Sequence, residues 1–191
     1  MAAGPLTLSA AGLRLRFARS GDRYVHQVMW LDAAGNENLL LATIEGDDTN
    51  PWPPSPPLQD LHLESRGAGA TVALAVGMAG RSHWSLSVEA LAEGELRFDV
   101  ACRANDPPGT LGSSYRLGEG VAAESTAAGI TLSVQGQAVA IITADAAQAS
   151  LQVPAASSTA DAENVLAIVP LDVPAVAPTT VRWQYGIQAG R

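Results

Sequence analysis

Lysine is absent from this chain: all 11 basic residues are arginine. That absence removes the Schiff-base lysine, the lysine general base and the phosphate-cradling lysine of a P-loop from the available mechanisms. Cysteine is nearly absent too. Cys102 is the single one, so no intrachain disulfide can form, and in Val100-Ala101-Cys102-Arg103 it reads as a buried, inert thiol. His26, His62 and His83 are the only histidines, and no His/Cys spacing resembles a zinc site. No cofactor is expected. Aromatic residues make up 5% and charged residues 16%, which leaves most of the packing to Ala, Val, Leu and Gly. No run approaches the ~20 apolar residues of a membrane span. The N-terminus lacks the basic region and apolar run of a signal peptide. The expectation is a soluble, cytoplasmic protein with no membrane partner.

The formal net charge is −8. Nucleic acid is therefore not an expected partner, because binding it needs a basic stripe that displaces counterions from phosphates. A chain of 191 residues can bury a core without disulfides or metal. One domain over residues 1–191 is the expected organisation, since all-β domains often reach this size undivided.

Hydrophobic residues recur with a period of two almost everywhere. Leu13, Leu15 and Phe17 alternate with Arg14, Arg16 and Ala18, the pattern of a half-buried strand. Further strands are predicted near His26 to Leu31 and Asn38 to Glu45. Four follow in quick succession near Leu58 to Ser65, Thr71 to Val76, Ser82 to Ala90 and Glu95 to Ala104. The less charged second half gives strands near Ile130 to Gln135, Ala138 to Thr143, Ser150 to Val153, Val165 to Pro170 and Thr179 to Ile187, with a short helical turn over Ala144 to Ala149. The fold class is all-β, an antiparallel two-sheet sandwich. Pro51-Trp52-Pro53-Pro54-Ser55-Pro56-Pro57 is a loop, since prolines at that density cannot join a ladder. Its PxxP pattern formally matches a polyproline ligand, although a rigid structural loop explains it as well.

Short Gly-bearing turns make the four central strands a meander. Placing Trp84, Leu86, Val88, Leu96, Phe98 and Val100 toward the core pairs Val88 with Leu96 and Trp84 with Val100. Leu74 is then expected beside Trp84, and Leu61 beside Leu74. The opposite face carries Asp60, His62 and Glu64, then Thr71, Ala73 and Ala75, then His83, Ser85, Ser87 and Glu89, then Arg97, Asp99 and Arg103. His62 lines up with Ala73, Ser85 and Asp99, Asp60 with Ala75 and His83, and Arg81 with Arg103. The expected binding residues are Asp60, His62, Arg81, His83, Asp99 and Arg103, around a trough of small side chains.

Such a surface suits a carbohydrate, whose hydroxyls pair with Asp, Arg and His and whose apolar ring faces stack on aromatics. Trp52, Tyr115 or Tyr24 are candidates for that stacking. The plain alternative is a solvated sheet face, which antiparallel sheets commonly have. Glu45, Asp47, Asp48 and Asn50 form a weaker candidate calcium loop, lacking the spacing of an EF-hand.

Ser82-His83-Trp84-Ser85-Leu86-Ser87-Val88-Glu89, Leu96-Arg97-Phe98-Asp99-Val100-Ala101-Cys102-Arg103 and the closing Val181-Arg182-Trp183-Gln184-Tyr185 resemble the long strands of galactose-mutarotase-like supersandwich domains, over roughly half of the chain. Such domains recur in sugar epimerases, polysaccharide lyases and accessory modules of glycoside hydrolases. The mutarotases use a His pair and a Glu base. His62, His83 and Glu89 are of those types, without a surrounding motif that maps them across. Three functions follow in order of expectation. The first is a non-catalytic carbohydrate-binding or accessory domain. The second is a structural or protein-interaction domain that forms a homodimer. The third is a sugar-processing enzyme with His62 or His83 as acid/base and Asp99 or Glu89 as partner.

Overall fold

Period-two alternation builds strands throughout. The computed structural model describes residues 5–47, 49–66, 70–153 and 164–190, and among these it has fifteen strands and no helix. Two antiparallel sheets pack face to face as a β-sandwich around one shared core. The first sheet begins with β1 (Leu6–Ala10), β2 (Leu13–Ser20), β3 (Arg23–Leu31) and β4 (Glu37–Thr43), each beside the last. It continues with β9 (Ser113–Leu117), β14 (Val165–Pro170) and β13 (Ala149–Gln152). The second sheet runs in the order β10 (Val121–Thr126), β11 (Gly129–Val134), β12 (Gln137–Ala144), β15 (Thr179–Ala189), β8 (Glu95–Ala104), β7 (Ser82–Ala90), β6 (Ala70–Ala79) and β5 (Asp60–Arg66). The predicted meander is thus the β5–β8 half of this eight-stranded sheet.

Three short strands fall where the pattern predicts none. β1, β9 and β10 are built largely from Ala, Ser, Thr and Leu, residues that carry little β signal without neighbours. Ala144 to Ala149 is a single tight turn rather than a helix: the Asp145 carbonyl accepts from the amides of Gln148 and Ala149.

The inward faces hold the expected large side chains. Trp84, Leu86, Val88, Leu96, Phe98 and Val100 are all buried, and Trp183 and Tyr185 join them. Trp84 meets Trp183 edge to face with ring centroids 6.2 Å apart, and Phe98 stacks on Tyr185 at 4.6 Å. Cys102 is buried among them, and burial pushes its thiol up to about 12, so it stays protonated and inert.

The expected register is corrected at two points. Val88 lies opposite Phe98, and Trp84 opposite Cys102, a slide of two residues that leaves the faces unchanged. The second correction turns a strand over. β6 runs through Gly77 and Met78 to Ala79, and the chain reverses at Gly80-Arg81, with Gly80 in the left-handed region at φ +55°. Gly77 now lies opposite Trp84, Ala75 opposite Leu86 and Ala73 opposite Val88. Thr71, Ala73 and Ala75 were expected outside and Leu74 inside. Instead Ala73 and Ala75 are buried, and Val72, Leu74, Val76 and Met78 lie on the outward parity. Leu61 and Leu63 face inward beside Ala75 and Ala73.

Space inside the sandwich is the cause. The proline segment is packed beneath this end of β6, with Pro53, Ser55, Pro56 and Pro57 buried. A Cβ on Gly77 would sit 1.6 Å from the Pro57 carbonyl oxygen. The Ser55 hydroxyl donates to the Ser114 carbonyl at 2.9 Å and accepts the Ser114 amide at 3.1 Å. The PxxP run is therefore a structural filler, held where no polyproline-recognising groove can reach it.

A polar thread crosses the core. His26 is buried, its ring 5.5 Å from Phe17, 5.9 Å from Phe98 and 5.5 Å from Tyr115. Its Nε2 hydrogen-bonds the Tyr115 hydroxyl at 2.9 Å, and that hydroxyl meets the Tyr185 hydroxyl at 2.5 Å. The Trp183 indole N–H donates to Ser113 Oγ at 3.1 Å. These bonds join β3 and β9 to β15 of the other sheet.

Two measurements check this account. Gly77→Ala should destabilise the fold by about 3 kcal/mol or more, because the clash is with backbone that cannot rotate away; a near-neutral result in chemical denaturation would refute the packing. Burial drives the His26 imidazole from 6.5 down to about 3, so the folded protein holds it neutral. The unfolded chain takes up that proton below about pH 6.5. The stability it contributes is thus fully present above about pH 6.5 and falls toward pH 3 at up to about 1.4 kcal/mol per pH unit. Unfolding curves between about pH 7 and pH 4 should fall more steeply for the wild type than for His26→Phe, by about 3 kcal/mol over the range.

Candidate functional site

Because side chains alternate across a strand, the inward packing of the meander dictates what its outer face displays. Three rows cross this face. Met78, His83, Arg103 and Thr180 are successive neighbours from β6 to β15. The next row is Asp60, Val76, Ser85, Ala101 and Arg182. The third is His62, Leu74, Ser87, Asp99 and Gln184.

Two adjoining open depressions occupy these rows, each of about 620 Å³. One is bounded by Asp60, His62, Ser87, Asp99 and Arg182, and the other by Asp60, His83, Arg103 and Thr180. Asp60, Val76, Ser85, Ala101 and Thr180 belong to both, so the two form one trough. Its floor is aliphatic rather than small: Val76 is 53% and Met78 44% exposed, with Leu74 half-buried.

Five of the six expected binding residues line the trough: Asp60, His62, His83, Asp99 and Arg103. The sixth does not. Arg81 lies in the β6–β7 turn, where its guanidinium pairs with Asp106 at 3.1 Å and its carbonyl accepts from Asn105. His62 and Asp99 share a row as expected, now through Leu74 and Ser87. Asp60 shares its row with Ser85 instead of His83.

The lining residues differ in how far they are already engaged. Asp99 Oδ1 accepts from Arg182 Nε at 2.7 Å, its Oδ2 takes a second Arg182 nitrogen, and Gln184 Nε2 donates to Oδ2 at 2.9 Å. The Arg182 guanidinium thereby holds the Asp99 carboxyl below the usual carboxylate range, against the opposing effect of partial burial. Among the described residues, Asp60 Oδ1 accepts one hydrogen bond, from the neighbouring Leu61 amide at 3.0 Å. Among the described residues, the side chains of His62, His83 and Arg103 make no hydrogen bond, ion pair or ring contact.

Hydrogen-bonding groups thus surround an apolar floor, and among the described residues neither imidazole of the trough is hydrogen-bonded to a carboxylate. His62 and Asp99 stand three strands apart, roughly 14 Å at sheet spacing. Glu89 lies opposite Val72 and Arg97, beyond the trough lining. Among the described residues, no Phe, Tyr or Trp ring lies exposed over the floor. Tyr115 is wholly buried in the core, Tyr24 pairs its backbone with Leu58, and Trp52 packs half-buried against Gly109. In the other candidate loop, the Asp47 carboxylate caps its own turn by accepting from the Thr49 and Asn50 amides. Asp48 lies outside the described residues. Among the described residues, no His/Cys/Asp/Glu group is placed to hold a metal ion, and no helix is long and apolar enough to cross a membrane.

Leu74 and Val76 escaped the sequence pattern because the larger side chains of this strand were expected inside, and Met78 because Gly77 to Gly80 was expected to be a turn rather than part of β6. Thr180, Arg182 and Gln184 escaped it as well. A signal for those was present: Trp183 and Tyr185 share the core face of the last strand, which puts the residues between them on the other face. No protein-family model matches the chain, and no curated protein matches it.

The Asp99–Arg182 pair allows a direct check. Arg182 is 61% exposed, so solvent screening limits the contribution of the pair to about 1 kcal/mol or less. Asp99→Ala should lower the denaturation midpoint only slightly while freeing Arg182. A loss of several kcal/mol would mean that the pair holds the sheet together rather than lining a surface.

Proposed function

We propose that this is a non-catalytic carbohydrate-binding or accessory domain whose ligand lies along the trough of the eight-stranded sheet. One observation carries the reading. His62, His83 and Arg103 flank an open aliphatic floor, and among the described residues their side chains have no partner. A binding site that is concave, apolar at its base and ringed by a few polar groups is the usual form for a small ligand. A sugar chain has both the C–H faces to cover Leu74, Val76 and Met78 and the hydroxyls to meet Asp60 and the two imidazoles. The missing aromatic platform points to an extended ligand held by many modest contacts, rather than one ring clamped on a tryptophan. The resemblance to galactose-mutarotase-like domains agrees with this reading at the level of fold style only.

A protein-interaction role, including a homodimer, is the second reading. The exposure of Val76 and Met78 favours it, since aliphatic patches on a sheet face attract apolar partners.

Titration calorimetry of the whole chain against oligosaccharides of graded length separates the two. Carbohydrate binding predicts affinity that rises with chain length. It should fall by about tenfold or more in a His62→Ala/His83→Ala variant whose unfolding midpoint is unchanged. Absence of binding across the panel, with a concentration-dependent dimer in sedimentation that Met78→Glu abolishes, would replace the first reading with the second.

A further inference from the structure

The trough has unlike ends, and we infer that its ligand carries an anionic group, a carboxylate or a sulfate ester, seated on Arg103 and His83. This inference rests on the carbohydrate reading above and narrows it to acidic oligosaccharides.

His83 and Arg103 are direct cross-strand partners on β7 and β8, and Thr180 is the partner of Arg103 on β15. An imidazole, a guanidinium and a hydroxyl therefore stand in one row, all exposed on the trough side, with Met78 beside them. The two arginines that line the trough have opposite fates. Arg182 is neutralised by Asp99, whereas Arg103 meets no carboxylate among the described residues. In a chain with 19 acidic residues and 11 arginines, an arginine in a depression with no acidic partner is the group left to bind an anion. Its fork of N–H donors fits a carboxylate or sulfate in bidentate fashion.

Asp60 lines the same depression from β5, on the far side of the Val76 strip. A carboxylate there accepts hydroxyl hydrogens and repels further negative charge. The trough therefore suits a chain with spaced anionic groups among neutral, hydroxyl-rich units. It does not suit a dense polyanion, which the net charge of −8 also opposes.

The test uses the full chain and three oligosaccharides of equal length: one neutral, one containing a uronic acid, and one carrying a sulfate ester. At low ionic strength at least one acidic chain should bind about tenfold more tightly than the neutral one, and added salt should narrow the gap. Whichever acidic chain binds best identifies the anion. Arg103→Gln should close the gap by weakening the acidic chain about tenfold more than the neutral one, and should leave the unfolding midpoint unchanged. Equal binding of all three chains, or a gap that survives in Arg103→Gln, overturns the anion inference while the carbohydrate reading stands. Binding of none overturns both.

Discussion

Where the Pro57 carbonyl presses on β6, the chain has room for a backbone and nothing more. A Cβ at position 77 would lie 1.6 Å from that oxygen, so only glycine can face inward there. The same segment is tied to both sheets. The Leu58 carbonyl accepts the Tyr24 amide at 2.6 Å, and the Gln59 amide donates to the Val76 carbonyl at 2.8 Å. Once Gly77 is fixed inward, alternation leaves no freedom along the strand. Ala75 and Ala73 follow it into the core, and Leu74, Val76 and Met78 are turned outward. The chemistry of the opposite surface is thus a consequence of a proline-filled space inside.

The two sheets are held in register by a second constraint. Apolar side chains pack well in more than one relative position, whereas hydrogen-bonded polar groups in a core do not. His26 on β3, Tyr115 on β9 and Tyr185 on β15 form one chain of bonds, and Ser113 takes the Trp183 indole. Ser114, the residue between, holds Ser55 of the proline segment. β9 therefore ties the seven-stranded sheet both to the opposite sheet and to the filler that fixes β6. A five-residue strand with a weak β pattern thus carries both of these hydrogen-bonded links to β15.

This contrast explains what could be read in advance. The large core side chains of β7 and β8 alternate with polar ones, so their faces were legible, and with them His83, Asp99 and Arg103. The alternation of Asp60 and His62 with Leu61 and Leu63 was equally plain. β6 was not legible, because Val72-Ala73-Leu74-Ala75-Val76-Gly77-Met78 offers hydrophobic residues on both faces. The rule that larger apolar residues go inside then gives the wrong parity. Only a tertiary fact, the position of Pro57, resolves it. Arg81 was misplaced for a related reason: the Gly77 to Gly80 stretch resembles a turn, yet β6 continues through it and the reversal falls at Arg81 itself. β9 was missed because its residues have a role only once the other sheet is present.

The polar groups of the outer face follow a similar logic of competition. Arg182 comes from the last strand and reaches Asp99 on β8, so that two opposite charges cancel within the protein. Gln184 completes that arrangement and leaves the Asp99 carboxylate little capacity for anything else. Asp60 and Arg103 are too far apart to do the same, being separated by β6 and β7, roughly 14 Å across the sheet. Between them lie Val76, Met78, His83 and Ser85, none of which spans that distance to bridge the two charges. The pairing at one end of the trough and the separation at the other therefore have one origin, the strand order β15-β8-β7-β6-β5. That order places complementary side chains on adjacent strands in the first case and holds them three strands apart in the second. Charges that cancel locally use up their hydrogen-bonding capacity on each other, whereas charges held apart over an apolar floor keep theirs.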